Sequence, residues 1–175
     1  MMDLQRYIRD IRDFPKPGIV FKDITPLLAD SVAFRATVER FVEQYRGRAD
    51  VVLGIESRGF IIGAPVAYLL GAGFIPIRKK GKLPAETIGH DYELEYGVDR
   101  VEIHTDAVSR GDRILLIDDL VATGGTAEAA STLIAKMGGE VIECCFVVDL
   151  PDIGGRKRLE KRGLGVFALC EFEGD

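Results

Sequence analysis

The sequence predicts an α/β domain: a mainly parallel, twisted sheet flanked by helices. Three observations carry this. From residue 51 onward, short and fully apolar runs alternate with helical stretches, as buried parallel strands and their crossover helices do. Glycines gather at the ends of those runs: 20 in 175 residues, about 11% against a usual ~7%. The length suits one domain of ~100 to 200 residues, and no repeat, low-complexity segment or linker divides residues 1–175.

Taken in order, Leu4, Tyr7, Ile8 and Ile11 follow helical spacing and predict a short amphipathic helix. Pro15 and Pro17 break it, so Phe14–Gly18 is expected to be a stiff, extended arm that holds Ile19 to Phe21 in place. Ser31 caps a second helix with Phe34, Val38, Phe41, Val42 and Tyr45 on its apolar face, ending near Gly47. Val51 to Ile55 is a strand, Phe60 to Leu70 a helix closed by Gly71, and Phe74 to Ile77 a strand. Residues 79–97 are polar, carry Gly81, Pro84, Gly89 and Gly97, and predict a long loop. Val98 to Thr105 alternates as a half-exposed strand, and Arg113 to Ile117 is a buried strand running into Asp118-Asp119. A helix over Thr126 to Met137, a strand over Val141 to Val148, a charged turn or helix over Asp152 to Arg162 and a closing strand over Val166 to Phe172 complete the chain.

Composition excludes several classes. Apolar residues at 47% and charged residues at 29% are ordinary globular values, and no apolar run approaches the ~18 residues of a membrane span. The charges of Met1 to Phe14 are unlike an export signal, so a cytoplasmic protein is expected. Three cysteines, two of them adjacent at Cys144 and Cys145, form no paired disulfide framework and look like small buried hydrophobes. Two histidines, His90 and His104, leave zinc chemistry short of ligands. A net charge of −5 argues against nonspecific nucleic-acid binding.

Doubly wound sheets bind ligands beyond the carboxyl ends of their strands, which directs attention to Ile114–Thr126, ILLIDDLVATGGT. Four apolar strand residues lead to two acids, then to Ala122, Thr123, Gly124, Gly125 and Thr126 at the start of a helix. The glycines let the backbone approach an anion, the helix terminus aims free N–H groups at it, and both threonines add hydroxyl donors. This predicts a phosphate cradle. It is not a Walker loop, since the one Gly-Lys, Gly81-Lys82, is followed by Leu83. Asp118 and Asp119 at the same strand end offer two carboxylates to vicinal hydroxyls, so the pattern describes a ribose 5-phosphate site. A turn acid pair or a Thr-Gly-Gly-Thr loop alone is weak; in this order and spacing they are specific.

The same block resembles the phosphoribosyl-pyrophosphate motif of the type I phosphoribosyltransferases, most closely the branch that uses adenine. The match extends through FPKPGIVFKDITPLL (Phe14–Leu28), GIESRGFIIG (Gly54–Gly63), IRKKGKLP (Ile77–Pro84) and YELEYG (Tyr92–Gly97). The resemblance implies that fold, with an arm and base-binding hood over residues 1–30, a donor-binding core over 50–150 and a mobile lid over 79–97. It also implies transfer of a phosphoribosyl group to adenine, giving AMP and pyrophosphate in purine salvage. Magnesium would be bound with phosphoribosyl pyrophosphate and held by that substrate, with no protein ligand to the metal expected.

Ser57 and Arg58 follow a strand and open a helix, and match the family's pyrophosphate loop. Arg78, Lys79, Lys80 and Lys82 put four cations in five residues. Such a run is often a solvated surface; by resemblance it meets pyrophosphate and reaches the neighbouring site of a homodimer. Glu95 matches the position proposed for proton transfer at the purine, although it is one of several acids in its segment. Val20, Phe21 and Lys22 match the hood, with Phe21 stacking on the base and Leu150 on its opposite face. Lys22 stands where many relatives carry Arg, and lacks its planar fork. Two alternatives remain: a transferase for another purine such as hypoxanthine or xanthine, which the hood segment argues against, and a donor-sensing transcriptional regulator. The regulator would need a DNA-binding module, and only about 50 residues precede the sheet.

Overall fold

The computed structural model describes residues 2–94 and 97–173. Its N-terminus departs from the expected helix. A single 3-10 turn, Leu4–Tyr7, is capped by the Asp3 carboxylate, and the chain then extends into β1 (Arg9–Arg12), which pairs antiparallel with β2 (Val20–Asp23). Helical spacing placed Leu4 and Ile8 inward correctly, but the β2 ladder satisfies the backbone from Arg9 onward, and a ladder competes with helix for those same groups. The proline segment is likewise a hairpin turn and not an extended arm. Asp13 accepts from Gly18 N at 2.7 Å, Phe14 N donates to Ile19 O at 3.3 Å, and Gly18 takes φ +87° to close the turn.

An unanticipated short helix, α1 (Thr25–Ala29), begins with proline in its first turn. In α2 (Ser31–Tyr45) the cap is Asp30, one residue before the expected Ser31; its Oδ1 accepts from Val32 N at 3.0 Å and Ala33 N at 2.8 Å. Next come β3 (Val51–Ile55), α3 (Arg58–Leu70, closed by left-handed Gly71) and β4 (Gly73–Lys79). The expected loop over 79–97 contains β5 (Thr87–Leu94), hairpinned to β6 (Gly97–His104). Its polar composition concealed an alternation in which Ile88 and Tyr92 share one face and pack into the core. The chain finishes with β7 (Arg113–Val121), α4 (Gly125–Met137), β8 (Glu140–Asp149), α5 (Gly155–Glu160) and β9 (Val166–Glu171).

The seven-stranded sheet has the order β5-β6-β4-β3-β7-β8-β9. Strands β4, β3, β7, β8 and β9 run parallel, with the β5–β6 hairpin antiparallel at one edge. The central parallel strands β3, β7 and β8 are buried on both faces. In β7, Leu115 and Ile117 face the core under α2 and α3, while Ile114 and Leu116 face the core under α4. Neighbouring Cys145 and Cys144 divide the same way, and Cys170 is buried in β9. All three are free thiols; burial pushes Cys144 up to about 12 and Cys170 up to about 11.

Candidate active site

Because five strands point the same way, the segments that follow β3, β4, β7 and β8 meet at one rim. At its centre, β7 passes through Ala122, Thr123 and Gly124 into α4. Gly124 occupies the cap position at φ +77° and supplies no side-chain cap, so the first N–H groups of α4 stay available to an anion. They open on a cavity of about 130 Å³ lined by Asp118 and by residues 120–127, which include the whole expected cradle. The loop is braced from behind. Gly155 N donates to Ala122 O at 2.8 Å, and a Cβ on Gly155 would lie 2.3 Å from that oxygen, so only glycine fits. Sequence reasoning missed Gly155, which lies 29 residues beyond the motif's end at Thr126; the Gly154-Gly155 pair before a charged helix was the available signal.

Asp118 and Asp119 sit on the last part of β7, beside α3. Gly59 permits the approach: a Cβ there would lie 2.7 Å from Ile117 O and 3.2 Å from Asp118 Oδ1. The two acids have opposite electrostatics. Burial, and then the neighbouring Asp119 charge, push the Asp118 carboxyl well above the usual carboxylate value. Asp119 is paired with the Arg58 guanidinium. Burial alone would lower Arg58, and Asp119 more than offsets this, so the guanidinium is held more strongly protonated than usual. Arg58 also lies over the Phe21 ring, 5.8 Å from its centroid, and Phe14 packs edge-on to Phe21 at 5.3 Å. Hood, pyrophosphate loop and ribose acids, expected from three separate segments, are thus joined through one side chain.

The basic cluster divides. Arg78 pairs with Glu56 through two bonds of 3.2 and 3.3 Å, and Lys79 N donates to Glu56 Oε2 at 3.0 Å. Burial would raise the Glu56 carboxyl, but these donors hold it below its ordinary value. The Lys79 ammonium is engaged by Asp99 and by Tyr92 Oη. Lys80 and Lys82 are exposed and form no ion pair among the described residues. The β5–β6 hairpin that carries this network leans over the cradle: a Cβ on Gly125 would lie 3.5 Å from both Tyr92 Cδ2 and Glu93 O. Glu95, the expected proton-transfer residue, lies outside the described residues.

Of the remaining base-site residues, Val20 belongs to β2, whose one strand neighbour is β1, so alternate backbone groups of β2 face away from the ladder. Lys22 is buried; its ammonium meets Asp10 at 2.9 Å and the Phe172 ring at 4.5 Å, while Phe21 next to it meets Arg58. Leu150 follows β8, is buried, and its N–H donates to Val121 O at 3.1 Å, which ties it to the strand bearing the acids. Ser57 occupies the cap position of α3 and makes no side-chain cap bond.

Comparison with known proteins shows the family. A family profile described as the phosphoribosyl transferase domain matches residues 26–165. The chain is 66% identical over 175 residues to the adenine phosphoribosyltransferase of Nitrosospira multiformis, covering 99% of this chain and 100% of that one. It superposes with a TM-score of 0.92 on the crystal structure of adenine phosphoribosyltransferase from Thermoanaerobacter pseudethanolicus, at 48% identity and covering 97% and 98% of the two chains. The Saccharomyces cerevisiae adenine phosphoribosyltransferase, solved in complex with an imino-altritol bisphosphate and adenine, matches with a TM-score of 0.89 at 35% identity, covering 95% of this chain and 96% of that one.

Proposed function

The chain belongs to the adenine phosphoribosyltransferases of the phosphoribosyl transferase family, and from that membership we propose how its rim of strand ends carries out the reaction. The reaction is transfer of the phosphoribosyl group of 5-phosphoribosyl 1-pyrophosphate to adenine, forming AMP and pyrophosphate in purine salvage. The observation that carries the assignment of parts is the meeting of the uncapped α4 terminus, the acid pair and the Arg58–Phe21 contact at one rim.

The 5′-phosphate sits on the N–H groups and hydroxyls of Ala122 to Thr126. The ribose hydroxyls donate to Asp118 and Asp119, and the pyrophosphate is met by Ser57, Arg58 and the exposed cations Lys80 and Lys82, with Arg78 and Lys79 behind them. The acid pair is engaged by Arg58 and by the ribose hydroxyls, so magnesium would be held by the donor itself. Magnesium bound with the donor would supply charge neutralisation of the leaving pyrophosphate. Adenine lies against Phe21 with Leu150 opposite, its exocyclic amine donating to a backbone carbonyl of β2, for which Val20 is the candidate; Lys22 contributes by holding β2 to Asp10. As the C1′–pyrophosphate bond breaks and the purine nitrogen bonds to C1′, Glu95 accepts the purine proton. The β5–β6 hairpin excludes water that would hydrolyse the donor.

The protein acts as a homodimer in the cytoplasm. Ile61, Tyr68 and Leu69 on the outer side of α3 are exposed, Tyr68 to 83%, on the same helix that begins with Arg58; an apolar stripe so placed supports a second copy closing beside the site. Among the described residues no helix is long and apolar enough to cross a membrane.

Incubation with phosphoribosyl pyrophosphate, magnesium and each purine in turn tests the base assignment. A site that bonds the exocyclic amine rejects an oxopurine by up to ~10⁴-fold, because acceptor meets acceptor in a desolvated pocket. Adenine should therefore exceed hypoxanthine and guanine in kcat/KM by orders of magnitude. Comparable values would refute the amine-reading site and leave the transferase chemistry standing.

A further inference from the structure

Asp149, the last residue of β8, is fully buried, and one of its oxygens has no hydrogen-bond donor among the described residues. The other oxygen meets Arg156 Nε at 2.5 Å. Arg156, the second residue of α5, also donates to Val166 O at 3.2 Å and Glu171 Oε1 at 2.8 Å, so a single guanidinium ties the start of α5 to β8 and to both ends of β9. A buried, half-satisfied ion pair is a poor device for stability, since an apolar pair of similar volume commonly does as well or better. What it does supply is direction. Immediately before Arg156, Gly155 is pressed against the cradle: its N–H holds Ala122 O at 2.8 Å, and a Cβ on Gly155 would lie 2.8 Å from Gly124 N. The Ala122 carbonyl and the Gly124 N–H belong to the turn whose amides face the 5′-phosphate.

We propose that Asp149 and Arg156 are positioning residues for the phosphate cradle: their ion pair fixes the first turn of α5, and Gly155 transmits that position to the Ala122–Gly124 turn. Neither side chain touches substrate. Their effect falls on the 5′-phosphate end of the donor, while the pyrophosphate loop at Ser57–Arg58 and the basic cluster belong to other strand ends and are left unchanged. The inference rests on the reading of residues 122–126 as the 5′-phosphate site.

The test compares two probes that each report one end of the donor, ribose 5-phosphate and pyrophosphate with magnesium, titrated calorimetrically into the native protein and into Arg156→Ala, Arg156→Lys and Gly155→Ala. Small displacements of a positioned group cost up to ~100-fold, so Arg156→Ala and Gly155→Ala are expected to weaken ribose 5-phosphate by about tenfold or more and pyrophosphate by less than about twofold. Arg156→Lys, which keeps the charge, should recover part of the loss. In turnover, the donor's KM should rise while that of adenine stays near the native value. Unchanged ribose 5-phosphate affinity in a folded Arg156→Ala protein, or equal weakening of both probes, overturns the proposal. Failure of the native protein to bind ribose 5-phosphate, or its undiminished binding in Thr123→Ala with Thr126→Ala, would instead refute the cradle itself.

Discussion

Burial beside Asp119 raises the Asp118 carboxyl, so the folded protein holds that proton more tightly than the unfolded chain does. The resulting stability is complete below the ordinary carboxylate pKa of ~3.9 and is lost as pH climbs through the raised folded value. Asparagine cannot ionise and avoids the loss. Asp118→Asn should therefore melt progressively higher than the native protein as pH is raised above about 4, even as it loses a carboxyl acceptor for the ribose hydroxyls. Thermal melts across that range, paired with donor titrations, check both halves. A melting difference that does not vary with pH would mean that Asp118 ionises in the fold as freely as in water.

Among the elements, the basic turn after β4 separates into structural and available cations. Lys80→Ala with Lys82→Ala should raise the donor's KM several-fold and weaken its dependence on salt, with little change in melting temperature, because both residues are exposed and neither forms an ion pair among the described residues. Arg78→Ala should behave oppositely, lowering the melting temperature by leaving Glu56 without its bidentate partner. Steady-state kinetics and melts on the two variants separate the roles. The five parallel strands and α2 to α4 were legible in the sequence, because burial on both faces demands continuous apolar runs and helices on each side demand 3.6-residue spacing. The cradle and acid pair were legible for a related reason, being contiguous. The hairpin strands β1 and β5 stayed hidden because helical spacing masked the first and a polar, glycine-bearing composition the second; the Glu56 grip on Arg78 and Lys79 and the brace from Gly155 stayed hidden because their partners are distant. No local pattern records a contact made across 20 or more residues.

At the scale of the molecule, the proposed homodimer would link assembly to the site through the apolar outer face of α3, since the helix that presents Ile61 and Tyr68 starts at Arg58. Ile61→Asp with Tyr68→Asp should yield a folded monomer with much reduced turnover, seen by sedimentation and by far-ultraviolet circular dichroism. A dimer that survives both charges would move the interface elsewhere. The buried thiols carry a different consequence. With Cys144 and Cys145 on opposite faces of β8 and Cys170 near the sheet's edge, all raised in pKa, an alkylating reagent in neutral solution finds neither access nor thiolate while the sheet is closed. Each modification therefore counts an opening event, and Cys170 keeps time for the edge strand while the β8 pair keeps time for the centre. The protein contains its own stopwatch for unfolding, one that can be run with and without substrates present and needs no introduced label.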